Sequence, residues 1–121
     1  MEKNNSSEIG KKGEEIACNY LIEKGFEILE KNWRFKHLEV DIIATKDNLL
    51  VIVEVKYRSY TTYGDPEVFV NKQKQKFLIE AANRYVIDKN IDKEVRFDII
   101  AISKKGNGFS IHHIEDAFYA R

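Results

Sequence analysis

Apolar positions recur first at helical spacing, then in alternation, then in nearly unbroken runs, and each change of pattern marks an element of the chain. Between Ser7 and Lys24, Ile9, Ile16, Ala17, Tyr20 and Leu21 fall near helical spacing, which predicts a helix. Ser6 or Ser7 can cap its start, and Gly25 suits its end. Imperfect alternation from Phe26 to Phe35 predicts a first strand. Leu38–Thr45 and Leu49–Lys56 are almost continuously apolar, as in strands covered on both faces. Tyr57 to Val68, with Gly64 and the only proline, Pro66, reads as a loop. From Asn71 to Asp88 the positions Phe77, Leu78, Ala81, Ala82 and Tyr85 form one helical face. Val95–Ser103 and Phe109–Ile114 read as strands around a Lys104–Gly108 turn, followed by a short helical end. The order is αβββαββ: an α/β protein with a mixed central sheet flanked by helices. No repeat, low-complexity segment or linker interrupts it, so the expectation is a frayed tail over residues 1–6 and a single domain over 7–121.

Three charges disturb the apolar runs. Glu54 and Lys56 end the third strand as Val53-Glu54-Val55-Lys56, and Asp41 interrupts Val40-Asp41-Ile42-Ile43. Side chains alternate along a strand, so Glu54 and Lys56 share a face. If Asp47-Asn48 is a two-residue hairpin turn, Lys46 pairs with Leu49. That register sets Asp41 opposite Glu54 and Glu39 opposite Lys56, with cross-strand β-carbons about 5 Å apart. Two carboxylates that close repel unless positive charge lies between them. Hard oxygen ligands suit Mg²⁺, which keeps several waters and completes its shell with phosphate. The competing explanation is a solvated strand face with a weak surface ion pair. Apolar neighbours on both sides weigh against it.

Composition narrows the field. At 121 residues the chain can bury a core without disulfides, and no apolar run approaches the roughly 20 residues of a membrane span. The polar start, Met1 to Ser7, has no signal-peptide core, which sets the expectation of a cytoplasmic protein without a membrane partner. Cys18, the only cysteine, rules out an intrachain disulfide or a thiolate zinc site. Net charge is zero, but residues 1–30 sum to −3 and residues 31–76 to +3, so the basic excess gathers around Asp41 and Glu54.

An acid on one strand followed by Glu-X-Lys on the next resembles the PD-(D/E)XK nuclease superfamily. More narrowly, the chain resembles the YraN family of small, nuclease-like bacterial proteins. The stretches that carry this likeness are Gly10–Ala17, Glu39–Ala44, Val53–Arg58, Lys72-Gln73 and Arg96–Ile100, which together span roughly residues 8 to 103. The resemblance implies a restriction-endonuclease-like αβββαβ core and Mg²⁺-dependent hydrolysis of phosphodiester bonds, with Mn²⁺ as a substitute. It implies that Asp41, Glu54 and the backbone carbonyl of Val55 hold metal, and that Lys56 assists the attacking water. Glu14 matches an acid that archaeal Holliday-junction resolvases place on the first helix, although a solvated helix face explains it too. DNA is the implied partner in preference to RNA, branched or partly single-stranded. A second copy of the chain or a partner protein would help engage it. A non-catalytic nucleic-acid-binding or protein-interaction module on the same fold is the alternative. One departure stands out: the family usually carries glycine where this chain has Leu38.

Other residues are weighed beside these. Lys72, Lys74 and Lys76 crowd a helix start, against the helix dipole, and Lys72 with Gln73 is the pair expected to meet nucleic acid. Arg58 continues the face of Lys56 toward substrate. Tyr57, Tyr60 and Tyr63 either stack on unpaired bases or pack their own loop. Gly13 suits close approach of helix and sheet. Asp98 carries no assigned role, His112-His113 reads as structural with no acidic partner evident, and Cys18 and Trp33 read as core or near-core.

Overall fold

The computed structural model describes residues 6–59 and 69–119, and for 6–10 and 59 only the backbone element. Its elements are α1 (Ser6–Glu23), β1 (Glu27–Phe35), β2 (Leu38–Lys46), β3 (Leu49–Ser59), α2 (Lys72–Lys89), β4 (Glu94–Lys105) and β5 (Gly108–Phe118). The five strands form one sheet in chain order. All neighbours run antiparallel except β3 and β4, which are parallel and joined across α2. This is the expected αβββαββ arrangement, a mixed sheet consistent with a restriction-endonuclease-like core.

Alternation explains the unbroken apolar runs. Leu50 and Ile52 of β3, with Phe97 and Ile99 of β4, pack with Leu78, Ala81, Ala82 and Tyr85 of α2. Val51 and Val53, with Ile100 and Ile102, pack instead with Ala17, Cys18 and Leu21 of α1. The central strands β3 and β4 thus each feed two cores, one per helix, and have few positions left for polar residues.

Local signals end the helices. Gly25, at φ 96°, sends its N–H to the Ile22 carbonyl while Phe26 bonds Leu21, a Schellman closure of α1. Asn90, at φ 53°, closes α2 in the same way through Val86 and Ile87. Asn71 caps the start of α2 by accepting the Lys74 N–H at 2.8 Å.

Three expectations are corrected. Ser6 and Ser7 lie inside α1 and do not precede it. β3 continues to Ser59 because β4 offers a parallel partner for each of its eleven residues, ending with Ser59 opposite Lys104. The chain after Ile114 is strand, not helix: a register shift before Phe118 and a left-handed Asp116 hide the alternation from the sequence. Phe118 then stacks on Phe97 with ring centroids 5.0 Å apart. The expected tail up to Asn5 and the loop over 60–68, with Tyr60 and Tyr63, lie outside the described residues. No described helix is long and apolar enough to cross a membrane.

β2 breaks the alternation. Leu38, Val40 and Ile43 belong to the α2 core, whereas Ile42 and Ala44 belong to the α1 core. The strand therefore changes phase at Asp41. Across from it on β1, Asn32 takes φ 52° between the pairs Lys31↔Ile42 and Trp33↔Val40. Asparagine tolerates this left-handed conformation better than most residues.

Gly13 sets how closely α1 approaches the sheet. A β-carbon there would lie 2.9 Å from the Tyr57 Cβ, on β3. Gly13→Ala is expected to destabilise by about 1–2 kcal/mol, since overpacking outweighs a helix-propensity gain of up to about 1 kcal/mol. Chemical denaturation checks this, and a stabilised variant would contradict the close approach.

Candidate active site

The phase change in β2 puts Asp41 where the regular ladder stops. Pairing between β2 and β3 runs from Lys46↔Leu49 to Ile42↔Val53, the register expected from the hairpin. The ladder ends one pair short of Asp41 and Glu54. Asp41 Oδ2 instead accepts the Val55 N–H at 2.8 Å, so a side chain does the work of a ladder carbonyl. Glu39 does not partner Lys56. Its neighbour across β1 is Arg34, and the two form an exposed ion pair at 3.3 Å.

Glu54 follows Leu50 and Ile52 on the α2 side of β3 and is 9% exposed. Its Oε2 lies 3.6 Å from Lys74 Nζ of α2. Burial pushes its carboxyl up to about 7, the Asp41 charge adds to this, and Lys74 and Lys56 oppose it. Burial likewise raises Asp41 against the Val55 N–H, Lys74 and Lys56, with Glu39 pushing the same way as burial. Glu14 reaches the same field from α1: burial raises it, a hydrogen bond with Asn32 opposes, and Asp41 and Glu39 add to the rise. Acids from three elements therefore act on one another, only partly neutralised by Lys74 and Lys56 and, at Glu14, by Lys31.

The structure distributes the other candidates unevenly. Lys56 is half-buried and acts electrostatically on both Asp41 and Glu54. Arg58 is exposed and donates to the Tyr57 carbonyl at 3.0 Å. Lys72 and Gln73 are exposed on the first turn of α2, and Lys72 borders a cleft with Ile79, Phe118 and Tyr119. The α2 residue at Glu54 is Lys74. Of two further residues at this site, Lys74 was ranked behind Lys72 among the lysines of the helix start, and Asn32 was not singled out from sequence. Helical position separates Lys74 from Lys72 only once the packing of α2 is known. For Asn32, the available signal was a weak strand former inside a strand.

Among the described residues no group of three or more His, Cys, Asp or Glu could enclose a metal ion. The donor set at β2 and β3 is two carboxylates beside exposed backbone and lysines. That set does not make a zinc or calcium cage. It fits Mg²⁺, which is commonly held by one or two carboxylates and otherwise by water and phosphate.

Asp98 behaves differently. It is 1% exposed and fully bonded. Arg96 donates to both its oxygens at 2.9 and 2.8 Å, His113 Nε2 lies 2.7 Å away, and the Asp116 N–H donates at 3.0 Å. Burial pushes its carboxyl up, but the bonds from His113, Arg96 and Asp116 outweigh this and hold it below the usual range. His113 thus has an acidic partner, one strand away in the sheet and distant in sequence.

A mixed sheet between two helices, with acids gathered where β2 loses its regularity, places the chain among α/β proteins of restriction-endonuclease-like architecture. It belongs to UPF0102, an uncharacterised protein family whose profile matches residues 13–102. A UPF0102 protein of Flavobacterium psychrophilum is 50% identical over 113 residues, covering 93% of this chain and 95% of the relative. One from Flavobacterium johnsoniae is 48% identical over 117 residues, with 93% and 95% covered. A third, from Thermodesulfovibrio yellowstonii, is 46% identical over 112 residues, with 93% and 96% covered.

The raised Glu54 carboxyl has a defined linkage. Between its ordinary 4.5 and about 7, the folded chain holds a proton that the unfolded chain has lost. Stability of the metal-free protein should therefore fall as pH rises through that window. Glu54→Gln should flatten the fall and leave the variant more stable at roughly pH 8, by on the order of 2–3 kcal/mol. Urea denaturation in chelator across this range decides it. Parallel wild-type and variant profiles would contradict the buried, under-neutralised site.

Proposed function

We propose that the chain is a Mg²⁺-dependent nuclease that hydrolyses phosphodiester bonds of DNA, branched or partly single-stranded. The supporting observation is the closeness of two carboxylates, half-buried Asp41 and buried Glu54, whose mutual repulsion Lys74 and Lys56 only partly relieve. In this reading Asp41, Glu54 and the Val55 carbonyl hold the ion, which when bound supplies charge stabilisation at phosphorus oxygens and an acidified water. Lys56 orients the attacking water and neutralises developing charge. Glu14, steadied by Asn32, borders the same space from α1. Lys74 supplies the positive charge on Glu54 and passes to substrate phosphate when a cation takes its place. Mn²⁺ serves as an alternative ion.

A second reading, a non-catalytic nucleic-acid-binding or protein-interaction module, draws support from one observation. The Lys74–Glu54 pair gives the site an internal counter-ion. Zero net charge also favours weak or partner-assisted binding over tight autonomous binding.

Calorimetric titration of Mg²⁺ and Mn²⁺ separates the two. The wild type should bind one or two ions, and Asp41→Ala and Glu54→Ala should each abolish binding. Lys74→Met should bind Mg²⁺ about three- to tenfold more tightly, because it removes the competing charge, yet turn over branched DNA more slowly. Absence of wild-type binding at millimolar metal, with nucleic acid present, would leave the second reading.

A further inference from the structure

A cavity of about 600 Å³ opens toward the C-terminal end of α1, bordered by Tyr20, Lys24, Phe26, Lys46 and His113 and by the acids Asp47, Glu94 and Glu115. That volume falls within the roughly 300–1,000 Å³ of small-molecule sites. Tyr20 lies about 9 Å along the helix axis from Glu14. Leu49, also on its wall, lies about 16 Å along β3 from Glu54. The cavity is therefore separate from the carboxylate site.

Its polar groups are oriented. Asp98 is held ionised and can only accept, so His113 Nε2 donates to it. On the other side of the ring, Nδ1 shares a hydrogen bond with the Tyr20 hydroxyl at 3.0 Å. Arg96 locks the base of this chain by gripping both Asp98 oxygens. Whichever partner holds the shared proton, the Tyr20 oxygen keeps a lone pair, so it can accept from a ligand N–H or O–H. Glu94 adds a second acceptor nearby.

Two lysines, Lys24 and Lys46, also line it, with Asp47 next to Lys46. Lys46 Nζ donates to the Lys24 carbonyl at 2.8 Å and stands 5.3 Å from the centroid of the Phe26 ring. Lys24 Nζ stands 5.6 Å from the centroid of the Tyr20 ring. Among the described residues neither ammonium is ion-paired with a carboxylate. Each rests on an aromatic face, a weak contact at an exposed site. A phosphate is the stronger partner, and moving the ammonium groups to it bares two rings for stacking.

The geometry points to a second ligand site that takes a nucleotide. Phosphate binds at Lys24 and Lys46, the base lies against Tyr20 and Phe26, and a base N–H donates to the Tyr20 oxygen held by His113 and Asp98. This goes beyond the nuclease reading and stands without it, since no residue of the carboxylate pair takes part.

The test is calorimetric titration in chelator with adenosine monophosphate, ribose phosphate and inorganic phosphate, against wild type, Tyr20→Phe and Lys46→Met. Adenosine monophosphate should bind at least tenfold more tightly than either base-free phosphate. Tyr20→Phe should weaken it about fivefold and Lys46→Met about tenfold. Lys46 is exposed, so that variant remains informative if Tyr20→Phe loses stability. No binding at millimolar nucleotide, equal binding of inorganic phosphate, or an unchanged affinity in either folded variant would overturn the proposal. A short single strand ending in adenosine separates the sources. Tighter binding than the mononucleotide assigns the site to a strand end, and equal or weaker binding assigns it to free nucleotide.

Discussion

The hydrogen bond from the Val55 N–H to the Asp41 carboxylate is the interaction on which this site depends. A backbone donor on a central strand must be satisfied once it is buried. Here β2 supplies a side-chain oxygen, and the regular ladder ends one pair early. The same irregularity moves Val40 and Ile43 onto one face, so β2 still fills both cores on either side of the break. Asn32 accommodates the break on β1 by taking a left-handed conformation, and its side chain meets Glu14. One backbone requirement thus brings α1, β1, β2 and β3 to a common point.

The fold was largely legible because its main signals are short-range. Apolar period, Gly25 after α1 and the Asp47-Asn48 turn placed six of the seven elements within a few residues, and the turn gave the observed β2–β3 register. The end of β5 was not legible, because a bulge at Asp116 imitates the loss of strand pattern. Nor was the full length of β3, which depends on a parallel partner that arrives 45 residues later, as in Leu49↔Glu94. At the site, Asp41 and Glu54 were legible as charges in apolar runs. Lys74 and Asn32 were not. The first needs the packing angle of α2, and the second needs a backbone angle that several residue types avoid. Glu39 does not meet Lys56, because a strand has two neighbours and the one on β1 carries the arginine; its charge still reaches Asp41.

Buried charge alone would not distinguish a site from a structural network, and this molecule contains both. Asp98 is the more deeply buried acid, yet two bonds from Arg96, one from His113 and one from a backbone N–H satisfy it completely. Its carboxyl is held down, as expected when hydrogen bonding outweighs desolvation. Glu54 shows the opposite balance. A single lysine at 3.6 Å and a more distant one leave burial and the Asp41 charge in control, and its carboxyl rises to about 7. Asp41 and Glu54 are thus the acids whose charge the surrounding groups offset least.

That contrast bears on why such a pair persists in the fold. Replacing partly neutralised buried acids with apolar residues is often neutral or stabilising, so stability does not demand Asp41 and Glu54 together. Asp41 retains a structural duty through Val55, which a neutral asparagine could also perform as an acceptor. Glu54 has no comparable duty among the described residues beyond its lysine. A side chain that costs stability and fills no hydrogen-bonding gap in the sheet is what the proposed metal-binding role would account for. On the proposed reading, hard oxygen donors on a central strand, with an ammonium group that a cation would displace, would supply the preorganised charge that metal-assisted phosphodiester hydrolysis requires.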